Sequence, residues 1–226
     1  MVGRLEFVPG GRGKGEVGQR YGVELVRVTA DPTGRPGERR LNRAGRTLRK
    51  FGVLRTLLPR EFERWEWLAQ AGLCPVDPGR FLREQAPELA NAWLERRGMA
   101  PDRATVSLSG QRADGEMFRA AARLCPRVRR LVVDVEAGGE ELARQLRWEF
   151  GLPVLPAGVR ADLELRFQRG GRGNSPAAVE LFGPRPELGG LHLSCPELEE
   201  ADREALDLLA ILWERGKMAP SQVKIR

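Results

Sequence analysis

The residues whose spacing most resembles a ligand-binding device are Gly110-Gln111-Arg112-Ala113-Asp114-Gly115, which fall between an apolar strand-like run and a helical one. Glycines in such a turn let backbone amides approach a phosphate at the start of a helix. Glycine occupies the first and last positions, but Arg112 stands where bare backbone would touch a pyrophosphate. Its guanidinium is able to bind a phosphate directly instead. Asp114 would sit where the phosphate goes, or serve as a plain helix cap. Asp134 ends the next strand 24 residues after Gly110, near where a carboxylate would meet a ribose hydroxyl. Glu136 and the Gly138-Gly139-Glu140-Glu141 turn add amides and acids at the same strand ends. The plain alternative is a scaffold in which Gly110 is a turn residue and Gly138-Gly139 a tight turn.

This strand-turn-helix resembles the Rossmann domains of NAD(P)-dependent enzymes of the shikimate dehydrogenase and glutamyl-tRNA reductase type, which pair such a unit with a second domain. The resemblance covers about 60 residues and implies a site for NAD(P) or another nucleotide at Gly110, Arg112, Gly115, Asp134 and Glu136. It fixes no single cofactor.

Other chemistries lack their parts. Gly11-Arg12-Gly13-Lys14-Gly15 holds a Gly-Lys pair, yet a phosphate loop of the G-x-x-x-x-G-K-[ST] kind needs glycine where Val8 stands and a hydroxyl where Gly15 stands. The segment reads as a flexible loop. Ser107 or Ser109, His192 and Asp134 have the side chains of a hydrolase triad, but no G-x-S-x-G elbow presents the serine. Cys74, Cys125 and Cys195 form no C-x-x-C pair, and with one histidine the chain has no zinc-ligand spacing. Cys125 follows an apolar helix face and reads as packing. Each cysteine precedes a proline, and nothing in the sequence explains it. With no intact catalytic motif, the reading leans away from an enzyme.

Charge supplies the second candidate. Residues 35–60 hold nine cations against Glu38 alone, so a net +8 sits in a chain whose total is +7. Leu41, Ala44, Leu48, Phe51 and Leu58 recur at helical spacing among the arginines, which predicts a basic amphipathic helix stopped by Pro59. Arg39, Arg43, Arg46, Arg49 and Arg55 would attract nucleic acid or an acidic protein surface. A solvated face, or a dock for an acidic C-terminal helix, are the alternatives.

These features need elements to position them. "RLEFV" and "GVELVRVT" alternate as strands do, predicting an N-terminal hairpin with a long loop. Residues 38–98 read as mostly helical, with Gly72 a stop, Asp77 a cap and Pro87 a kink or split. From about Ala104 to Phe167 strands and helices alternate as β-α-β-α-β, which argues for a parallel sheet. "ADLELRF", "AAVELF" and "GLHLS" then alternate strictly and predict an antiparallel extension, with a mobile loop at "QRGGRGNSP". A last helix from Pro196 to Arg215 and an edge strand in "SQVKIR" complete the chain.

The expected fold class is therefore α/β, a Rossmann-like βαβαβ core with an N-terminal hairpin and a mostly helical segment. The expected division is residues 1–100 and 101–226. Hydrophobic residues at 41% support a packed core, while no apolar run reaches membrane length and no leader is seen, so the cytoplasm is expected. Function stays open between three readings. They are a nucleotide- or phosphate-binding protein using the 110–115 turn, a non-enzymatic binding or scaffold protein acting through the 39–55 helix, and a bare scaffold.

Overall fold

The computed structural model describes residues 1–151, 153–170 and 173–226. The chain forms two compact units, Met1–Val76 with Asp207–Met218, and Asp77–Leu206 with Ala219–Arg226. It is an α/β protein throughout.

The first unit is built on β1 (Val2–Phe7), β2 (Arg12–Arg20), β3 (Val23–Ala30), helix α1 (Gly37–Lys50), β4 (Arg55–Leu57), α2 (Trp65–Gln70) and β5 (Cys74–Pro75). Its sheet has the order β2-β3-β1-β4-β5. β1 is parallel to both β3 and β4, so the expected hairpin between "RLEFV" and "GVELVRVT" is corrected. The hairpin instead joins β2 to β3 through Tyr21 and Gly22, both at positive φ (50° and 74°), the pair of values a two-residue turn between twisted antiparallel strands demands. From Arg12 onward the "GRGKG" run is therefore strand rather than loop, and the reason is packing. A Cβ on Gly13 would lie 2.9 Å from Ala44 N and Arg40 O, and one on Gly15 would lie 2.6 Å from Thr47 Cγ2. Bare backbone lets α1 lie directly on the strand, with Thr47 Oγ1 donating to Gly13 O at 2.9 Å.

α1 buries Leu41, Ala44 and Leu48 in a core with Leu5, Val26, Val28, Val53 and Phe62. It ends earlier than the apolar spacing suggests. Phe51 closes it, and Gly52 takes φ 71°, a left-handed conformation that helices use to stop. Arg55 consequently lies on β4, not on the helix. The nearby apolar residues misled because strand β4 buries Thr56 and Leu57 just after the helix ends.

The second unit contains α3 (Gly79–Glu84), α4 (Ala86–Arg96), β6 (Thr105–Arg112), α5 (Gly115–Leu124), β7 (Arg130–Ala137), α6 (Gly139–Phe150), β8 (Val154–Leu155), β9 (Leu163–Arg166), β10 (Ala178–Glu180), β11 (Leu193–Ser194) and β12 (Lys224–Ile225). Asp77 Oδ1 accepts the Gly79 N–H at 2.8 Å, and the two helices split at Gln85, just before Pro87. The main sheet has the order β10-β9-β6-β7-β8 with every pairing parallel, a Rossmann-like arrangement.

The predicted antiparallel extension is corrected. β9 and β10 run parallel, and β11 leaves the sheet to form an antiparallel ribbon with β12. Alternation reports one buried face and says nothing of direction. The mobility expected of "QRGGRGNSP" falls partly on residues 171 and 172, which lie outside the described residues.

The chain re-enters the first unit in α7 (Leu206–Glu214). The predicted helix from Pro196 is thus cut short, because the acid-rich stretch 197–205 forms tight turns closed by backbone bonds such as Leu198 N to Cys195 O and Asp202 N to Glu199 O. Asp207 Oδ2 accepts the Leu58 N–H at 3.2 Å and Oδ1 the Leu208 N–H at 2.9 Å, and burial raises its pKa above the usual carboxylate value.

Candidate functional site

Two places in the fold hold the residues singled out by sequence. In the second unit, the strand order reverses between β6 and β9, which is where open α/β sheets bind ligands beyond the strand ends. Gly110 is not in a turn: β6 continues through it to Arg112, pairing Gly110 with Val135 and Arg112 with Ala137. Only Ala113 and Asp114 separate the strand from α5.

The amides that would face a phosphate there already have partners. Gln168 Oε1 accepts the Gln111 N–H at 3.1 Å and the Arg112 N–H at 3.0 Å, while its Nε2 donates to Arg112 O at 3.3 Å. Asp114 Oδ1 accepts the Met117 N–H at 2.8 Å and so caps α5. A pyrophosphate of NAD(P) would have to displace Gln168 from the strand-end amides and Asp114 from the Met117 amide to use these donors. Arg112, Gly115 and Glu136 are exposed, Gly110 is buried and Asp134 is half-buried.

On the other side of β7 an open groove of about 830 Å³ lies along α6 and the β8 edge, lined by Glu136, Glu140, Glu141, Arg144 and Arg147 over Val133 and Leu155. Gly138 caps α6 at φ 78°. The sheet face opposite Val106, Leu108 and Leu163 carries a polar row that sequence reasoning missed. Register places Glu180, Arg166, Ser109 and Asp134 side by side on four adjacent strands. Glu164 is fully buried among them, accepting Ser109 Oγ at 2.6 Å and Arg166 Nη2 at 3.1 Å. The alternation of β9 marked Glu164 as facing away from the leucines, but nothing local could say that this second face is also covered.

Ser109 thus donates to a carboxylate and no hydrogen bond joins Ser107 or Ser109 to His192 among the described residues; His192 is exposed and its backbone pairs with Arg226. Burial pushes the Cys125 thiol up to about 11, which keeps it protonated and unreactive at neutral pH. Among the described residues no group of three or more His, Cys, Asp or Glu side chains could hold a metal ion, and no helix is long and apolar enough to cross a membrane.

The second place is the outer face of α1. At about 100° per residue, Arg39, Arg43, Arg46 and Lys50 fall within roughly 60° of the helix circumference, opposite Leu41, Ala44 and Leu48, and Arg49 flanks them. Arg39, Arg43, Arg46, Arg49 and Lys50 are exposed and make no ion pair among the described residues. Arg40 and Arg55 of the same segment differ. Arg40 is held by Asp31 at 2.8 Å, and Arg55 forms a two-pronged bond with Glu214 at 2.6 and 3.1 Å. Trp67 from α2 packs against Gly45 and donates to Asn42 Oδ1 at 2.8 Å, placing an indole beside the stripe.

No protein-family model and no curated protein matches the sequence. Among solved structures, L-tryptophan dehydrogenase from Nostoc punctiforme is similar at 16% identity with a TM-score of 0.33, over 64% of this chain and 44% of that one. This chain therefore spans less than half the length of that structure. The α/β assignment follows from the strand order and parallel register.

Proposed function

We propose that this protein is a non-enzymatic nucleic-acid-binding protein whose contact surface is the exposed face of α1. The observation that carries this reading is the stripe of five cations, Arg39, Arg43, Arg46, Arg49 and Lys50, with no ion pair among the described residues. Guanidinium groups match phosphate oxygens in bidentate geometry, and counterion release from a phosphate chain rewards such a stripe. A membrane surface is a poorer match. An interfacial helix must insert its apolar face, and that of α1 is committed to the core, with Leu41 at 1% and Leu48 at 0% exposure.

Fluorescence anisotropy with a labelled oligonucleotide tests the reading. The triple substitution Arg43→Gln, Arg46→Gln, Arg49→Gln is expected to weaken binding at low salt; unchanged affinity rules α1 out, and capture of an acidic protein in place of the oligonucleotide favours the protein-partner reading.

A nucleotide at Gly110, Arg112, Gly115, Asp134 and Glu136 is the second reading, favoured by the open groove beside Glu136 and Gly138. It requires Gln168 to release the amides of Gln111 and Arg112. Calorimetric titration with NAD(P) and ATP, on the native chain and on Gln168→Ala, checks it; the absence of heat in both disposes of it.

A further inference from the structure

The stripe on α1 ends at Lys50, and the next residue is an aromatic ring that the fold leaves uncovered. Phe51 is 41% exposed although it follows a helix whose apolar face is otherwise buried. It turns toward the edge strand β2, where a Cβ on Gly15 would lie 3.2 Å from Phe51 Cε2. Val17, two residues further along the same face of the strand, is 56% exposed. Glycine at 15, on the face of β2 that Val17 shares, thus adds no side chain beside the ring at the cationic end of the helix. An apolar patch so placed is not explained by the packing of the unit.

We propose that Phe51, backed by Val17, is a base-stacking platform, and that the ligand of α1 is single-stranded nucleic acid. This rests on the reading of α1 as a phosphate-binding surface. The two features suit one occupant: a chain with anions at regular spacing for Arg39 to Lys50 and a free π-face for Phe51. A duplex offers the first and withholds the second, because its base faces are already stacked. Sequence tolerance follows, since every base has a π-face.

The test is fluorescence anisotropy with a labelled DNA strand of about 20 nucleotides, long enough for one binding site, and the duplex made from it. The single strand is expected to bind more tightly. Phe51→Leu, which keeps the apolar contact with Gly15 but removes the ring, is expected to weaken single-strand binding roughly tenfold, leave the duplex unchanged, and leave the salt dependence of both unaltered. Phe51→Trp is expected to restore binding, and circular dichroism melts confirm that each variant folds. Equal affinity for strand and duplex, or no effect of Phe51→Leu, overturns the stacking platform while the salt-dependent binding of α1 stands. No binding of either probe at low salt overturns the α1 reading itself. A drop in molar mass by light scattering on Phe51→Leu shows the patch covered by a second copy of the chain and also overturns the platform.

Discussion

Neutralising α1 should change not only how tightly the protein binds nucleic acid but how that binding responds to salt. Each phosphate neutralised on a single strand contributes a slope of about −0.7 to log K against log salt. Five unpaired cations, Arg39, Arg43, Arg46, Arg49 and Lys50, then set a slope of about −3.5, equivalent to a loss of affinity of roughly 130-fold between 50 and 200 mM salt. Replacing Arg43, Arg46 and Arg49 by glutamine leaves two cations and a slope of about −1.4, a loss of roughly 7-fold over the same range. Arg55 supplies the control. It is bound to Glu214 through both guanidinium nitrogens, so Arg55→Gln should leave the slope untouched and lower stability by no more than about 1 kcal/mol. Anisotropy titrations at four salt concentrations measure both slopes. A triple variant with the native slope, or an Arg55 variant with a reduced one, refutes the placement of the phosphate contacts on α1.

Three further outcomes follow from the packing. Gly13→Ala should lower the melting temperature sharply, because the new Cβ meets Ala44 N and Arg40 O at 2.9 Å and φ is 72°, whereas Gly18→Ala should be nearly silent; a silent Gly13→Ala in calorimetry refutes the close approach of α1 to β2. Asp31 accepts from Thr33 and Gly10, and these bonds hold its carboxyl at about 2 against an ordinary 3.8. A depressed folded-state value means its stabilisation is complete above about pH 4 and is lost as pH falls toward 2, so urea midpoints of the native chain should decline across that window more steeply than those of Asp31→Asn. Ser109→Ala removes a donor from fully buried Glu164 and should cost about 1–3 kcal/mol in urea unfolding. A cost near zero would mean that Arg166 alone satisfies the carboxylate.

Sequence patterns revealed elements wherever one face decided them and failed where direction or coverage came from distant residues. The β-α-β-α-β run was legible because β6, β7, α5 and α6 carry their own periodicity and stops, with Gly151 at φ 63° ending α6. Strand direction was not: β1 beside β3 and β9 beside β10 are parallel because of where their connections return, a fact no local alternation records. The basic helix was legible, but its end was masked because Leu58 kept helical spacing while lying just after β4. The short strand β4 was overlooked for the same reason.

The candidate site divides along the same line. Gly110 and Gly115 match a phosphate turn in spacing, yet what decides their use is Gln168, which is 56 residues from Arg112 and carries no motif. A side-chain amide with one acceptor and two donors can satisfy the end of a parallel strand as completely as a bound phosphate would. The glycines that sequence singled out at Gly13 and Gly15 serve a different end, since they remove side chains to bring α1 down onto β2 and to leave Phe51 bare. In the first unit a glycine-rich stretch with the outline of a nucleotide loop is used for backbone packing, and the phosphate binding proposed above falls on cations that make no ion pair among the described residues. Because Gly13 seats α1 on β2, Gly13→Ala should weaken the nucleic-acid binding proposed for α1 together with stability, while Gly18→Ala should alter neither.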